Sequence, residues 1–97
     1  MSMRVIAEAR SRTREIFESI EDRRAGFGED FLGELEKSYL KIEQNPHRYP
    51  RLTVPSLHER DLRQIFVRRF PINIIYEIRG AEILVLALID QTNRNSK

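Results

Sequence analysis

The 97-residue chain contains no cysteine. This excludes disulfides, thiol catalysis, iron–sulfur clusters and thiolate zinc sites, and a cytoplasmic location is expected. Histidine is nearly as scarce: His47 and His58 lie in a Pro-rich stretch without metal-ligand spacing. Neither a metal nor any other cofactor is expected. Long apolar runs are missing too. The longest, Ile83–Ile89, has seven residues, against about 20 needed to cross a bilayer, so no membrane partner is expected. The opening MSMRVIAEAR turns charged at once, unlike a signal peptide. Lysine is the last shortage, with only Lys37, Lys41 and Lys97 against 14 arginines.

What is present describes a folded domain. Hydrophobic residues make up 40% and charged residues 33%, the profile of a globular chain. One domain over residues 1–97 is expected, with 91–97 as a polar, flexible tail. The net charge of +2 is too small to announce nucleic-acid binding, but it is unevenly placed. Residues 1–48 hold 9 basic and 10 acidic side chains, and residues 49–97 hold 8 and 5. Most of the excess lies between Arg48 and Phe70, where Arg48, Arg51, Arg60, Arg63, Arg68 and Arg69 face only Glu59 and Asp61.

Periodicity supplies the elements. Residues 3–7 suit a short strand. Ala9, Thr13, Ile16 and Ile20 fall on one helical stripe with Phe17 beside them. Gly26-Phe27-Gly28 breaks that helix. A second one follows, with Glu29 and Asp30 at its positive end and Phe31, Leu32, Leu35, Tyr39 and Ile42 on one face. Asn45-Pro46 stops it. After a Pro-rich connection, three strands are expected at 62–70, 72–79 and 82–90, the last so apolar that it is covered on both faces as a central strand. Pro71 demands a bend or an edge. The expected class is α+β, order β-α-α-β-β-β, a helical hairpin packed on a small, mostly antiparallel sheet.

Two stretches then become familiar. "GFGEDFLGELEKSYLKIEQNPHRYP" (Gly26–Pro50) resembles the second-helix segment of the RelE/ParE toxin superfamily of type II toxin–antitoxin modules. "LRQIFVRRFPINIIYEIRGAEILVLALI" (Leu62–Ile89) resembles its strand region, where an Arg-rich strand runs into Phe-Pro, then a Tyr-containing strand, then a very apolar one. The resemblance covers about residues 5–90 and implies a two-helix hairpin on a four-stranded twisted sheet. Its RelE-like members cut messenger RNA on the ribosome, and its ParE-like members poison DNA gyrase.

Metal-free RNA cleavage needs a base for the 2′-OH, positive charge for the phosphorane and an acid for the leaving oxygen. The sequence departs from the nuclease pattern. Asn73 stands where an Arg often precedes Tyr76. Asp90 stands at the position of a His, and Asn93 at that of an Arg, with Arg94 adjacent. The catalytic candidates left are Arg63, Arg68 and Tyr76, none of which titrates near neutral pH. For Arg63 and Arg69 two readings stand, ion pairs with acids such as Glu77 or Glu82, or contact with phosphate or a partner. Tyr76 reads either as a core ring or as a catalytic hydroxyl. Arg48, Arg51, Arg60 and Arg69 are candidates for a partner or anion surface.

The resemblance therefore implies a toxin of a plasmid-stabilisation type module, closer to the ParE-like branch, that inhibits growth through DNA gyrase. It also implies an acidic antitoxin that folds on binding, laid across the helical hairpin and sheet. Two alternatives remain open: a RelE-like, metal-independent endoribonuclease acting on ribosome-bound mRNA, and a non-toxic binding module. Whether the chain is an enzyme stays open with them.

Overall fold

The computed structural model describes residues 1–91. Their order is β1 (Ser2–Val5), α1 (Ala7–Arg23), α2 (Phe27–Gln44), a 3-10 turn at Pro55–Leu57, β2 (Asp61–Phe66), β3 (Ile72–Arg79) and β4 (Glu82–Asp90). The β-α-α-β-β-β order matches the sequence expectation. The sheet runs β1-β4-β3-β2. Strands β2, β3 and β4 pair antiparallel, whereas β1 lies parallel to β4.

The helices cover one face of the sheet. Alternation puts Ile72, Ile74 and Tyr76 of β3 on that face, against Ile16 of α1 and Phe31, Leu35 and Ile42 of α2. In β4 the core residues are Ile83, Val85 and Leu88. The step from 85 to 88 breaks the period of two because the register slips there. Tyr76 pairs with Val85 and Ile75 with Ala87, leaving Leu86 unmatched. Strand β4 is central, as its composition demands, and Ile83, Leu84 and Val85 are all buried.

The hairpin is closed by a device that amphipathic patterning hides. Gly26 takes φ 92 to end one helix and start the next. The Glu21 carboxylate then accepts hydrogen bonds from the N–H groups of Gly26 (3.1 Å) and Gly28 (2.7 Å). It thereby satisfies free donors at the positive end of α2. Gly28 must lack a side chain, since a Cβ there would lie 2.6 Å from Glu21 Cγ and 2.7 Å from the Phe17 ring.

Two boundaries differ from expectation. The first helix begins at Ala7, directly after β1. The arginine-rich strand ends at Phe66, not at residue 70. Val67–Phe70 forms a turn in which Arg69 takes φ 72, so Arg68 and Arg69 lie on no strand face. Pro71 explains the early end: it lacks the N–H that a continuing ladder needs. The expected tail lies, from residue 92 onward, outside the described residues, together with Asn93 and Arg94.

Candidate functional site

The connection between α2 and β2 is strapped to the sheet by two candidate site residues. Its backbone runs beside β2, with Leu52 N–H donating to the Leu62 carbonyl (2.8 Å) and Gln64 N–H to that of Pro50 (3.2 Å). Arg63 and Tyr76 are cross-strand partners. The Arg63 side chain is only 12% exposed. Its guanidinium donates to Asp61 (2.8 and 3.4 Å) and to the carbonyls of His47 (2.7 Å) and Tyr49 (2.9 Å). The Tyr76 hydroxyl donates to the Pro46 carbonyl at 2.7 Å. Burial pushes its pKa up to about 12, so at neutral pH the hydroxyl stays protonated and committed to that bond. The structure thus brings these two candidates together, around the backbone of residues 46–49. The ion-pair partner of Arg63 is Asp61, not Glu77 or Glu82.

Glu77, only 3% exposed, is held from two sides. Arg60 grips it with two bonds (2.8 and 3.0 Å) and Arg79 donates to the same carboxylate at 3.0 Å. The Arg60 hydrogen bonds hold its carboxyl below the ordinary value of 4.5, against the opposing effect of burial. Arg51 donates to the Arg60 carbonyl (3.2 Å) and lies 3.4 Å from Asp61. Glu82 pairs with Arg4 at 3.1 Å. Of the six arginines between Arg48 and Phe70, three therefore fix the connection in place.

The other three are exposed. Arg69 lies 3.9 Å from Asp30 and 3.8 Å from Glu34 on α2. Arg48 shares a shallow hollow with Lys41, Tyr49 and Phe66, and Phe66 is 58% exposed. Arg68 stands in the turn after β2 without an ion pair among the described residues. Beside Phe66 in the register sits Asn73. Its amide donates to Gln64 Oε1 at 2.7 Å, while its own Oδ1 is buried without a partner. Asp90 pairs in register with Ile72 at the far end of β4. Among the described residues no three His, Asp or Glu side chains converge as a metal-ligand set, and none of the helices could cross a membrane.

A groove between the helices was not anticipated. It has a volume of about 510 Å³ and is walled by Phe17, Leu32, Leu35 and Tyr39, with Arg10 and Arg14 at its rim. Arg10 is anchored to the Val5 carbonyl. The Tyr39 hydroxyl is buried without a hydrogen-bond partner. Burial pushes its pKa up to about 12, with Thr13 a smaller opposing influence. The signal for this groove lay in α2, where Leu32 and Tyr39 widen the apolar stripe beyond the width a single core contact needs. Leu32 is accordingly 36% exposed.

A helical hairpin on one face of a four-stranded sheet, with β1 parallel to a central β4, defines a RelE/ParE-like fold. A chain in the structure described as "Chromosomal ParDE TA system from P. aeruginosa" has it, with a TM-score of 0.78 over 93% of this chain and 95% of that one, at 16% sequence identity. No family model matches the chain, and no curated protein does.

Proposed function

We propose that the chain is the toxin of a type II toxin–antitoxin module, acting by binding and inhibiting a protein target, with DNA gyrase as that target. The observation that carries this reading is the fold shared over nearly the whole length with a chain of a ParDE TA system. The chemistry of the arginine surface supports the binding half of the claim. Arg63 is committed to Asp61 and two carbonyls, and Tyr76 to Pro46. The Tyr76 hydroxyl, its pKa pushed up to about 12, stays protonated near neutral pH. Held in this way, the pair has poor means of acid–base catalysis.

The antitoxin of this reading sits in the groove between α1 and α2. An amphipathic helix would place apolar side chains on Phe17, Leu35 and Tyr39 and acidic ones against Arg10 and Arg14. One observation favours the RelE-like alternative: Phe66, exposed beside Lys41 and Arg48, offers a ring on which an RNA base could stack. The general test is expression of the chain alone. Growth arrest that is relieved by its acidic partner is the expected result. Unchanged growth of cells holding soluble, folded protein would leave only the non-toxic binding module.

A further inference from the structure

A second groove lies at the opposite end of the hairpin, where the interhelical turn meets the β2–β3 turn. We propose that it docks an acidic peptide segment carrying an apolar anchor side chain. The groove measures about 500 Å³ and is floored by Ile20, Phe27, Phe70 and Pro71. This is space for one or two large side chains. Phe70 is fixed from behind by an edge-on contact with Phe31, centroids 5.6 Å apart, so the floor is preformed.

Three arginines ring this floor: Arg23, Arg24 and Arg69. The Arg24 guanidinium carbon lies over the Phe27 ring, 4.2 Å from its centroid, which holds the guanidinium at the rim. Arg23 reaches only the carbonyl and hydroxyl of Ser19, both at 3.5 Å. Neither has a carboxylate partner among the described residues. Arg69 is presented by a left-handed backbone that long side chains rarely adopt. It shares Asp30 and Glu34 at 3.8–3.9 Å, long enough for an incoming carboxylate to compete. Asp90 is the acid that lines the groove.

This pattern selects the occupant. An apolar floor must be covered by apolar atoms, which a phosphate backbone cannot do. A second copy of this end would bring arginine against arginine. The chain's own final residues, TNRNSK, hold Arg94 and Lys97 and no acid, so they do not complement it either. A peptide with one aromatic or aliphatic residue flanked by Asp and Glu satisfies both the floor and the rim. The site is separate from the Phe17–Tyr39 groove assigned above to the antitoxin and does not depend on that assignment.

The experiment uses the full chain and a fluorescein-labelled peptide, Asp-Glu-Phe-Asp-Leu-Glu. The expected result is saturable binding that weakens with added salt and shifts the NMR methyl signals of Ile20 and Ile72. In Arg23→Gln/Arg24→Gln, which keeps most of each apolar stem, affinity should fall about tenfold or more at unchanged thermal stability. Because methyl mapping is done on the unaltered chain, the test survives a variant that folds poorly. Shifts confined to the Phe17–Tyr39 groove, equal binding of the peptide with Lys replacing Asp and Glu, or displacement by oligothymidylate would each overturn the proposal.

Discussion

In the connection and its strand, Arg60 and Arg63 each grip a carboxylate with two bonds, and Arg63 also holds two backbone carbonyls. At the interhelical turn, Arg23 and Arg24 grip none among the described residues; one leans on Ser19 and the other on the Phe27 ring. Both regions are arginine-rich, yet their neighbours give them different work. A planar fork next to a buried or partly buried acid becomes a clamp, because breaking the pair would strand a charge. The same fork beside an apolar hollow keeps its donors for something outside the chain. A raw count of basic residues therefore does not tell the clamped arginines around β2 from those at the helix turn.

Breaking the clamp gives the largest expected effect. Arg63→Ala leaves the His47 and Tyr49 carbonyls without their side-chain donor and Asp61 with only the longer Arg51 contact, and should cost about 3 kcal/mol of stability in urea unfolding. A cost below about 0.5 kcal/mol, the usual range for surface changes, would place Arg63 with the rim arginines instead. Gly28→Ala comes next. Its new methyl collides with Glu21 and Phe17, and overpacking of this kind costs about 1–3 kcal/mol. Tyr76→Phe removes one buried bond to Pro46 and should cost about 1–2 kcal/mol, with growth arrest retained.

The Glu77 clamp has a pH signature. Its carboxyl titrates below 4.5 when folded and at the ordinary value when unfolded. The stability it contributes is present above that ordinary value and is lost as pH falls through the lower, folded one. Glu77→Gln should flatten the acid limb of a stability profile below about pH 4.5. Tyr76 acts in the opposite direction. Its raised pKa means stability is lost as pH rises from about 10 toward about 12, which tyrosinate absorbance would report. The smallest change is Arg68→Ala, within about 0.5 kcal/mol in stability. If Arg68 contacts the target, the loss should appear only in toxicity.

Much of the fold was readable from residue order. The helical stripes, the Gly26 break, the Pro46 stop and the very apolar last strand each follow from local physics that tertiary packing did not override. The misreadings have equally local causes. Val67-Arg68-Arg69 alternates like a strand, and only the left-handed Arg69 and the missing N–H of Pro71 end it early. Glu21 looks like one more acid on a solvated face, and its role at the start of α2 depends on how tightly the hairpin folds back. The partner of Arg63 turned out to be Asp61, two residues away on the same strand, whereas Glu77 and Glu82 were taken by Arg60 and Arg4. Distribution of charges among partners is a three-dimensional property. The groove at the interhelical turn stayed hidden because it joins residues 20–27 to residues 69–72 and Asp90, segments distant in sequence.

If the chain acts as proposed, its arginine-bearing surface recognises a protein and leaves RNA intact. The most direct measurement adds the purified chain, in parallel, to DNA gyrase with supercoiled plasmid and to a translation extract with a labelled message. Accumulation of gyrase-dependent DNA breaks with the message intact is the predicted result. Cleaved message with gyrase unaffected would contradict it.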